Sequence, residues 1–460
     1  MKKSIFFFLM LTSLNLFSQR DLKIELTESY ELGNIILALT EYGRTDPWDV
    51  QKIPPYYTEI MQYFKPVMNH PLLDSVNYSR KDWEKFLGFR TDIFVFSFDK
   101  DGKLKRDCPF NSFGPQEVDK NLELINDFVE KSKYREFYNQ HKEFYNQLIS
   151  NYKEYYFIDK SFSFLDKISS NIKLNNEGNY IIAISPLVGG QHCHRDIDST
   201  TTVDFPNIAK NLILGSINDD ISKRIIDNHT IFSEMDHGYV NPISDIYSEL
   251  IEKNFDLKKW DKESGYPGIN SFNEYMTWAV YDLFINENFP NERIDSISTL
   301  HKKHNITRGF IAQNIFSEKL LELYKKSKSK KLDDLYVPML NWCKKVENNI
   351  SQPQLLNSNT KNFITLTNDI LELHFSEPMI KSKTIDLFII QFENGKQTQN
   401  QTNITIKDPK WSNDGKNVSF TINPKYDEYA IGFYIWDRLN GLYSKNKILL
   451  NPESYILVKK

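Results

Sequence analysis

The sequence predicts an α+β chain: a mainly helical domain with a small sheet, followed by an all-β sandwich. Three observations carry that prediction. Before residue 348, apolar residues recur at helical spacing: Phe128, Phe137, Phe144 and Leu148 in one stretch, Ile225, Ile226, Phe232 and Met235 in a second, and Met276, Val280, Leu283 and Phe284 in a third. Asn348 to Asn362 lacks apolar periodicity and is rich in Asn, Ser, Gln and Pro, which reads as a linker. From Phe363 onward, short alternating segments are separated by Glu377-Pro378, Asn394-Gly395, Asn413-Asp414-Gly415 and Asn440-Gly441, the turn punctuation of a sandwich. The domains expected are therefore 19–347, a linker at 348–362, and 363–460.

Residues 1–18 read as a signal peptide, with Lys2 and Lys3, the apolar run Ile5 to Leu11, and small residues ending at Phe17-Ser18-Gln19. Cleavage is expected near Ser18, with export to the periplasm, the cell surface or the medium. No other apolar run approaches the roughly 20 residues that a membrane-spanning helix needs. Leu22 to Leu26 alternates as a strand does, and Glu31 to Tyr42 reads as a helix closed by Gly43. A short helix follows from Tyr57 to about Phe64, stopped by Pro66, and His70-Pro71 marks a turn. Ile93 to Phe98 reads as a strand closed by Asp99-Lys100-Asp101-Gly102, and Val118 to Tyr156 as helix. Tyr180 to Ile184 is a short buried strand running into Pro186 to Gly190. Helices continue after Asn270 to about Glu347.

Charge and cysteine usage bound the function. The 460 residues carry a net charge of −4, too small to name a partner, and no basic patch points to nucleic acid. The cysteines are Cys108, Cys193 and Cys343, too few for a disulfide scaffold although one bridge would fit an oxidising compartment. The 25 tyrosines and 32 phenylalanines are assigned to the core.

The chemistry concentrates in Ser233-Glu234-Met235-Asp236-His237-Gly238-Tyr239-Val240-Asn241-Pro242. This stretch closes a helix that starts near Ile221, with Gly238 as its stop. Glu234 and His237 are three residues apart, so both side chains lie over one turn. A carboxylate and an imidazole so placed can share a metal or act as acid and base. A buried histidine beside a solvated glutamate is the bland alternative. Glu274 lies near the start of the helix from Asn270 and adds a second carboxylate. His192 and His194, two apart on an extended segment, point the same way and could face one metal or substrate. His229 is a weaker ligand candidate, since eight residues put it about 12 Å from His237 along a helix. His301 and His304 are candidates only by residue type, as donors to an oxyanion.

Laid against a gluzincin, the thermolysin-like class of zinc peptidase with a His-Glu-x-x-His helix and a downstream Glu ligand, the stretch resembles that motif with one exchange. His237 matches the second His, Glu234 the catalytic Glu and Glu274 the third ligand, while Ser233 stands where the first His would be. Residues 22 to about 345 also resemble an uncharacterised family of exported bacterial proteins with a zinc-peptidase-like pattern. That likeness rests on Leu22-Lys23-Ile24-Glu25 with Glu31-Leu32, on Tyr63-Phe64 with His70-Pro71, and on Glu234 to Pro242. The tail resembles bacterial Ig-like domains through Phe375-Ser376-Glu377-Pro378-Met379, Trp411, Asp414-Gly415-Lys416, and Asp437 with Gly441. Such modules serve as spacers or adhesive units.

These resemblances imply an exported zinc-dependent hydrolase, most simply a peptidase acting on a peptide or protein. In it Glu234 deprotonates a metal-bound water, and His237 and Glu274 with His192 or His194 hold zinc. The alternative is a degenerate relative that binds a peptide or glycan without cleaving it. A third reading makes the chain a surface interaction protein led by its C-terminal module.

Overall fold

A computed structural model describes residues 21–110, 116–170, 179–190, 192–217, 220–290, 294–358, 362–435 and 441–460. The expected signal peptide lies outside the described residues. The fold is α+β: helices dominate to residue 346, and small sheets follow or flank them. By its internal contacts the chain divides into two compact units, one of residues 1–153 and 173–216, the other of residues 154–172 and 217–460.

The first unit is built on a four-stranded sheet. Asp21–Glu25 pairs in parallel with Asn179–Ala183, which pairs in parallel with Thr201–Phe205, and Cys193–Asp198 closes the order antiparallel. The helix Glu28–Leu39 is buried almost throughout because Leu32, Ile35, Ile36 and Leu39 line one side and Tyr30 and Leu37 the other. Thr27 caps its start, accepting from the Tyr30 amide, three residues earlier than the sequence pattern placed it. Gly43 does not terminate that helix. It sits inside a second short helix, Glu41–Thr45, where a Cβ would lie 1.9 Å from the Leu37 carbonyl oxygen, so only glycine allows the approach.

The expected strand at 93–98 shrinks to Phe96–Phe98. Helix Trp83–Asp92 occupies the stretch before it, because Phe86, Phe89, Arg90 and Ile93 bury one side at helical spacing. His70, part of the family-like pattern, is structural here. Its Nδ1 accepts from the Leu72 amide at 3.2 Å as a helix cap, and its Nε2 meets Asp127 at 2.9 Å.

In the second unit, the helix from Ile221 runs unbroken to Ile246, 26 residues, through both Gly238 and Pro242. Proline removes one amide and crowds the carbonyl four residues back, which is that of Gly238. Among the described residues no atom beyond the helix's own nearby backbone lies within 4 Å of where a Gly238 Cβ would be, so the turn has room to adjust. Burial of Tyr239, Val240 and Ile243 keeps the last two turns in place. Asn241-Pro242 is therefore helical and does not begin the connection.

The second motif helix, Ile269–Asn288, is buried from Ser271 to Ile285. It packs on the first through Phe232 against Tyr281 and Phe284, both at 4.8 Å between ring centroids. Helices Ile294–Thr307, Gln313–Lys326 and Asp333–Val346 complete the helical part.

After it come a five-stranded sheet and a three-stranded sheet that share one apolar core. Leu371, Leu373, Val418 and Phe420 come from the smaller sheet, and Ile385, Leu387, Ile389, Ile431 and Ile456 from the larger. The segment read as a linker takes part in that core: Leu355 is buried and bridges Phe375, and the Gln354 amide donates to Ser376 Oγ at 2.9 Å. Tyr455–Lys459 is a strand that the turn signals did not announce. None of the three cysteines forms a disulfide among the described residues, and Cys193 and Cys343 are buried.

Candidate functional site

The site draws on two helices of the second unit, Ile221–Ile246 and Ile269–Asn288, and on the corner after a third, Ile294–Thr307. His237 sits mid-way along the 26-residue helix, and Asn241, one turn later, places its Oδ1 3.2 Å from His237 Nδ1. That contact assigns a proton to Nδ1 and turns Nε2 toward the next helix. There Glu274 Oε1 lies 3.4 Å from Nε2. The other Glu274 oxygen, Oε2, lies 3.2 Å from Nη1 of Arg308, on the corner that follows helix Ile294–Thr307. One carboxylate thus stands between two cations. Its side chain is 9% exposed, against 14% for His237 and 31% for Arg308.

The electrostatics follow from this packing. Burial alone would lower the His237 pKa, but the pairing with Glu274 and the charges of Glu274 and Glu234 outweigh it and raise it to about 10. Burial alone would raise Glu274, yet His237 and Arg308 hold it below the ordinary carboxylate range. Asp236, next to His237 in sequence, is fully buried, and neither of its oxygens has a hydrogen-bond partner among the described residues. Burial pushes its pKa well above the carboxylate range, and the charges of Glu274 and Glu234 add to the rise, so the group is held neutral.

Arg308 is held from several sides. Nη1 donates to Asn305 Oδ1 at 3.1 Å, and Nη2 to the Tyr266 hydroxyl at 3.0 Å. The guanidinium carbon lies 5.5 Å from the ring centroids of Tyr266 and Trp278 and 5.4 Å from that of Phe310. Gly309 makes the corner tight. Its φ is +109°, and a Cβ there would lie 2.5 Å from the Lys262 carbonyl oxygen and 2.8 Å from the Ser264 amide. The loop that carries Tyr266 is thereby seated against the arginine.

The residues singled out from sequence fall into two groups. Glu234, His237 and Glu274 come together: Glu234 is part-buried on the same helix, and its charge acts on both His237 and Glu274. His192 and His194 belong to the first unit, where His194 pairs with Asp204 across the antiparallel strands. His229 is buried in an aromatic stack, 4.0 Å from Trp278, 4.9 Å from Tyr281 and 4.6 Å from His301 by ring centroids. Burial holds His301 down to about 3, with the charge of His304 adding to the effect. Its imidazole is neutral there, and no oxyanion partner is in view.

Sequence reasoning missed Arg308, Asp236, Tyr266 and Trp278. Arg308 stands 34 residues beyond Glu274 in sequence, with no spacing rule to connect them. Asp236 was visible in the motif as the carboxylate directly before His237.

The donor set was weighed against zinc. Two ligands on one tetrahedral zinc ion, each about 2.0–2.2 Å from it, lie about 3.4 Å apart, and the His237 Nε2 and Glu274 Oε1 atoms have that separation. The third member of a gluzincin set falls on Ser233, a hydroxyl whose Oγ donates to the Thr230 carbonyl at 3.0 Å. Among the described residues no group of three or more His, Cys, Asp or Glu side chains is placed to hold a metal ion.

No family model matches the chain, and no curated protein matches it. Two solved structures are weakly similar. One is the S-layer protein rSbsC(31-844), at 13% identity and a TM-score of 0.18, covering 52% of this chain and 31% of that one. The other is domains 1-6 of surface layer protein SbsC, at 11% identity and a TM-score of 0.19, covering 94% of this chain and 45% of that one. The chain thus spans less than half of either, and at these scores the likeness carries no argument. No helix among the described residues is long and apolar enough to cross a membrane.

Proposed function

We propose that this chain is an exported, peptidase-like protein whose site on the second unit binds a peptide without cleaving it. The observation that carries this reading is the shared carboxylate. In a gluzincin the downstream Glu gives its oxygens to the metal. Here Glu274 stands between His237 and Arg308, so a fixed guanidinium supplies the positive charge on its second oxygen. Ser233 in place of the first imidazole points the same way, because a neutral hydroxyl is a poor zinc ligand beside His, Cys and carboxylate. The pairing with Glu274 favours the protonated form of His237, whereas metal ligation needs the neutral imidazole.

A second reading, the metal-dependent hydrolase, is favoured by the 3.4 Å between His237 Nε2 and Glu274 Oε1. In that case these two residues would hold the ion, which would supply Lewis-acid activation of water, and Glu234 would be the base.

Metal content and activity separate the two readings. The full chain, purified without chelator and supplied with equimolar zinc, is expected to retain well under one zinc per chain by elemental analysis and to leave labelled casein intact. It should nevertheless bind labelled hexapeptides by fluorescence anisotropy. Stoichiometric zinc together with casein cleavage that Glu234→Gln abolishes would replace the binding reading by the hydrolase.

A further inference from the structure

Arg308 has donors to spare. A guanidinium carries five N–H groups in a planar fork. Two contacts fall on Nη1, from Glu274 and Asn305, and one on Nη2, from Tyr266. Among the described residues no hydrogen bond falls on Nε. The Nε–H and the second N–H of Nη2 are therefore left over, and donors from these two nitrogens can grip a carboxylate with two hydrogen bonds. The side chain is the most exposed of the ion-paired three, at 31% against 9% for Glu274, so Arg308 is the member of the three most open to a ligand.

Its support is unusually rigid for a surface arginine. Asn305 is fully buried and receives nothing loose: its amide donates to Gln313 Oε1 at 2.8 Å, and Gln313 is in turn fixed by Ser317 at 3.0 Å and the Tyr275 carbonyl at 3.3 Å. The Trp278 and Phe310 rings lie against the guanidinium, and the Gly309 corner seats the loop carrying Tyr266. Holding a donor fork in place beforehand removes the ordering cost that binding would otherwise meet. An arginine that served only as the counter-charge of Glu274 would not need three aromatic rings and a buried amide chain around it.

Resting on the peptide-binding reading, we infer that Arg308 anchors a carboxylate of the bound peptide through its Nε–Nη2 edge. The carboxylate is either the free C-terminus or an acidic side chain. Both present the same two oxygens, and the experiment tells them apart.

The test uses the full chain and a fluorescein-labelled hexapeptide of Gly and Ala around one Phe, in three forms. One has a free C-terminus, one an amidated C-terminus, and one an amidated C-terminus with an Asp replacing an Ala. Anisotropy titrations are run on wild type, Arg308→Gln and Arg308→Lys. Hydrogen bonds to a charged group are strong enough that one acidic form should bind about tenfold or more tighter than the plain amide. Whichever acidic form gains identifies the source of the carboxylate.

That preference should vanish in Arg308→Gln and shrink in Arg308→Lys, which keeps the charge but not the fork, while binding of the plain amide persists in both. Arg308→Lys also serves as the readout if Arg308→Gln fails to fold. Equal binding of all three forms by wild type, or a preference that survives both substitutions, overturns this inference and leaves the peptide-binding reading standing. Binding of none of them by wild type overturns both.

Discussion

The ion-paired carboxylate gives the most direct handle on the site. Glu274→Gln keeps the size of the side chain, removes its charge, and leaves His237 and Arg308 without the group between them. Two routes give the magnitude. Severing one partner of a buried pair costs about 3–5 kcal/mol. The rise of His237 from 6.5 to about 10, at about 1.4 kcal/mol per pH unit, sets a ceiling on the order of 5 kcal/mol at low pH. The sign follows from linkage: the folded-state pKa lies above the unfolded one, so the stabilisation is complete below about pH 6.5 and is lost as pH rises towards 10. Urea unfolding of wild type and Glu274→Gln at intervals from pH 6 to pH 10 should show a gap of about 3–5 kcal/mol at the acid end, closing towards the alkaline end. Histidine ¹⁵N shifts in the wild type should show one imidazole still protonated at pH 9, absent from the variant. A gap that does not change with pH, together with a His237 that titrates near 6.5 in both proteins, would refute the ion-pair account.

Three other outcomes follow from named contacts. Ser233→His should restore two imidazoles on one helical turn beside Glu274 and give zinc binding by calorimetry where wild type gives none; no gain would mean the helix cannot present both rings to one ion. Glu31 is fully buried, with Tyr56 donating to Oε1 at 2.6 Å and Tyr145 next at 2.8 Å, and burial raises its pKa to about 7. Stability from the neutral carboxyl is therefore complete below about pH 4.5 and lost as pH rises through 7, so Glu31→Gln should be the more stable protein by about 3 kcal/mol at pH 8 in urea titrations, with no difference at pH 4. Gly309→Ala places a Cβ against the Lys262 carbonyl at a φ of +109° and should cost about 1–3 kcal/mol, while loosening Tyr266, read as faster amide exchange at residues 262–266.

How much of this was legible in the sequence depended on whether a residue acts through its neighbours along the chain. Glu234 and His237 share a helical turn, and periodicity alone placed them together; Glu274 came from the pattern of a helix start, and both assignments meet in the folded site. Gly238 and Pro242 misled for a physical reason. Each disfavours a helix alone, but at a spacing of four the glycine relieves the crowding that the proline creates, and buried Tyr239, Val240 and Ile243 outweigh both. The apolar run near Ile93 was ambiguous because a few buried residues fit either period. Arg308 and Asp236 were invisible as chemistry, since one depends on a distant corner meeting a helix and the other on complete burial, and neither leaves a local signature.

On the peptide-binding reading, the arrangement also accounts for Ser233 in the place that the gluzincin motif gives to a metal ligand. A helix with two imidazoles and two carboxylates facing one point needs a cation to offset their mutual repulsion and desolvation. Here the charges are offset internally: Glu274 is paired with His237 and Arg308, and Asp236 is kept neutral by burial. With Arg308 present, the charge of Glu274 is offset within the chain. On the binding reading such a site calls for no metal and offers Arg308 to an anion. That is why the predictions put Glu274 at the centre of stability and Arg308 at the centre of recognition.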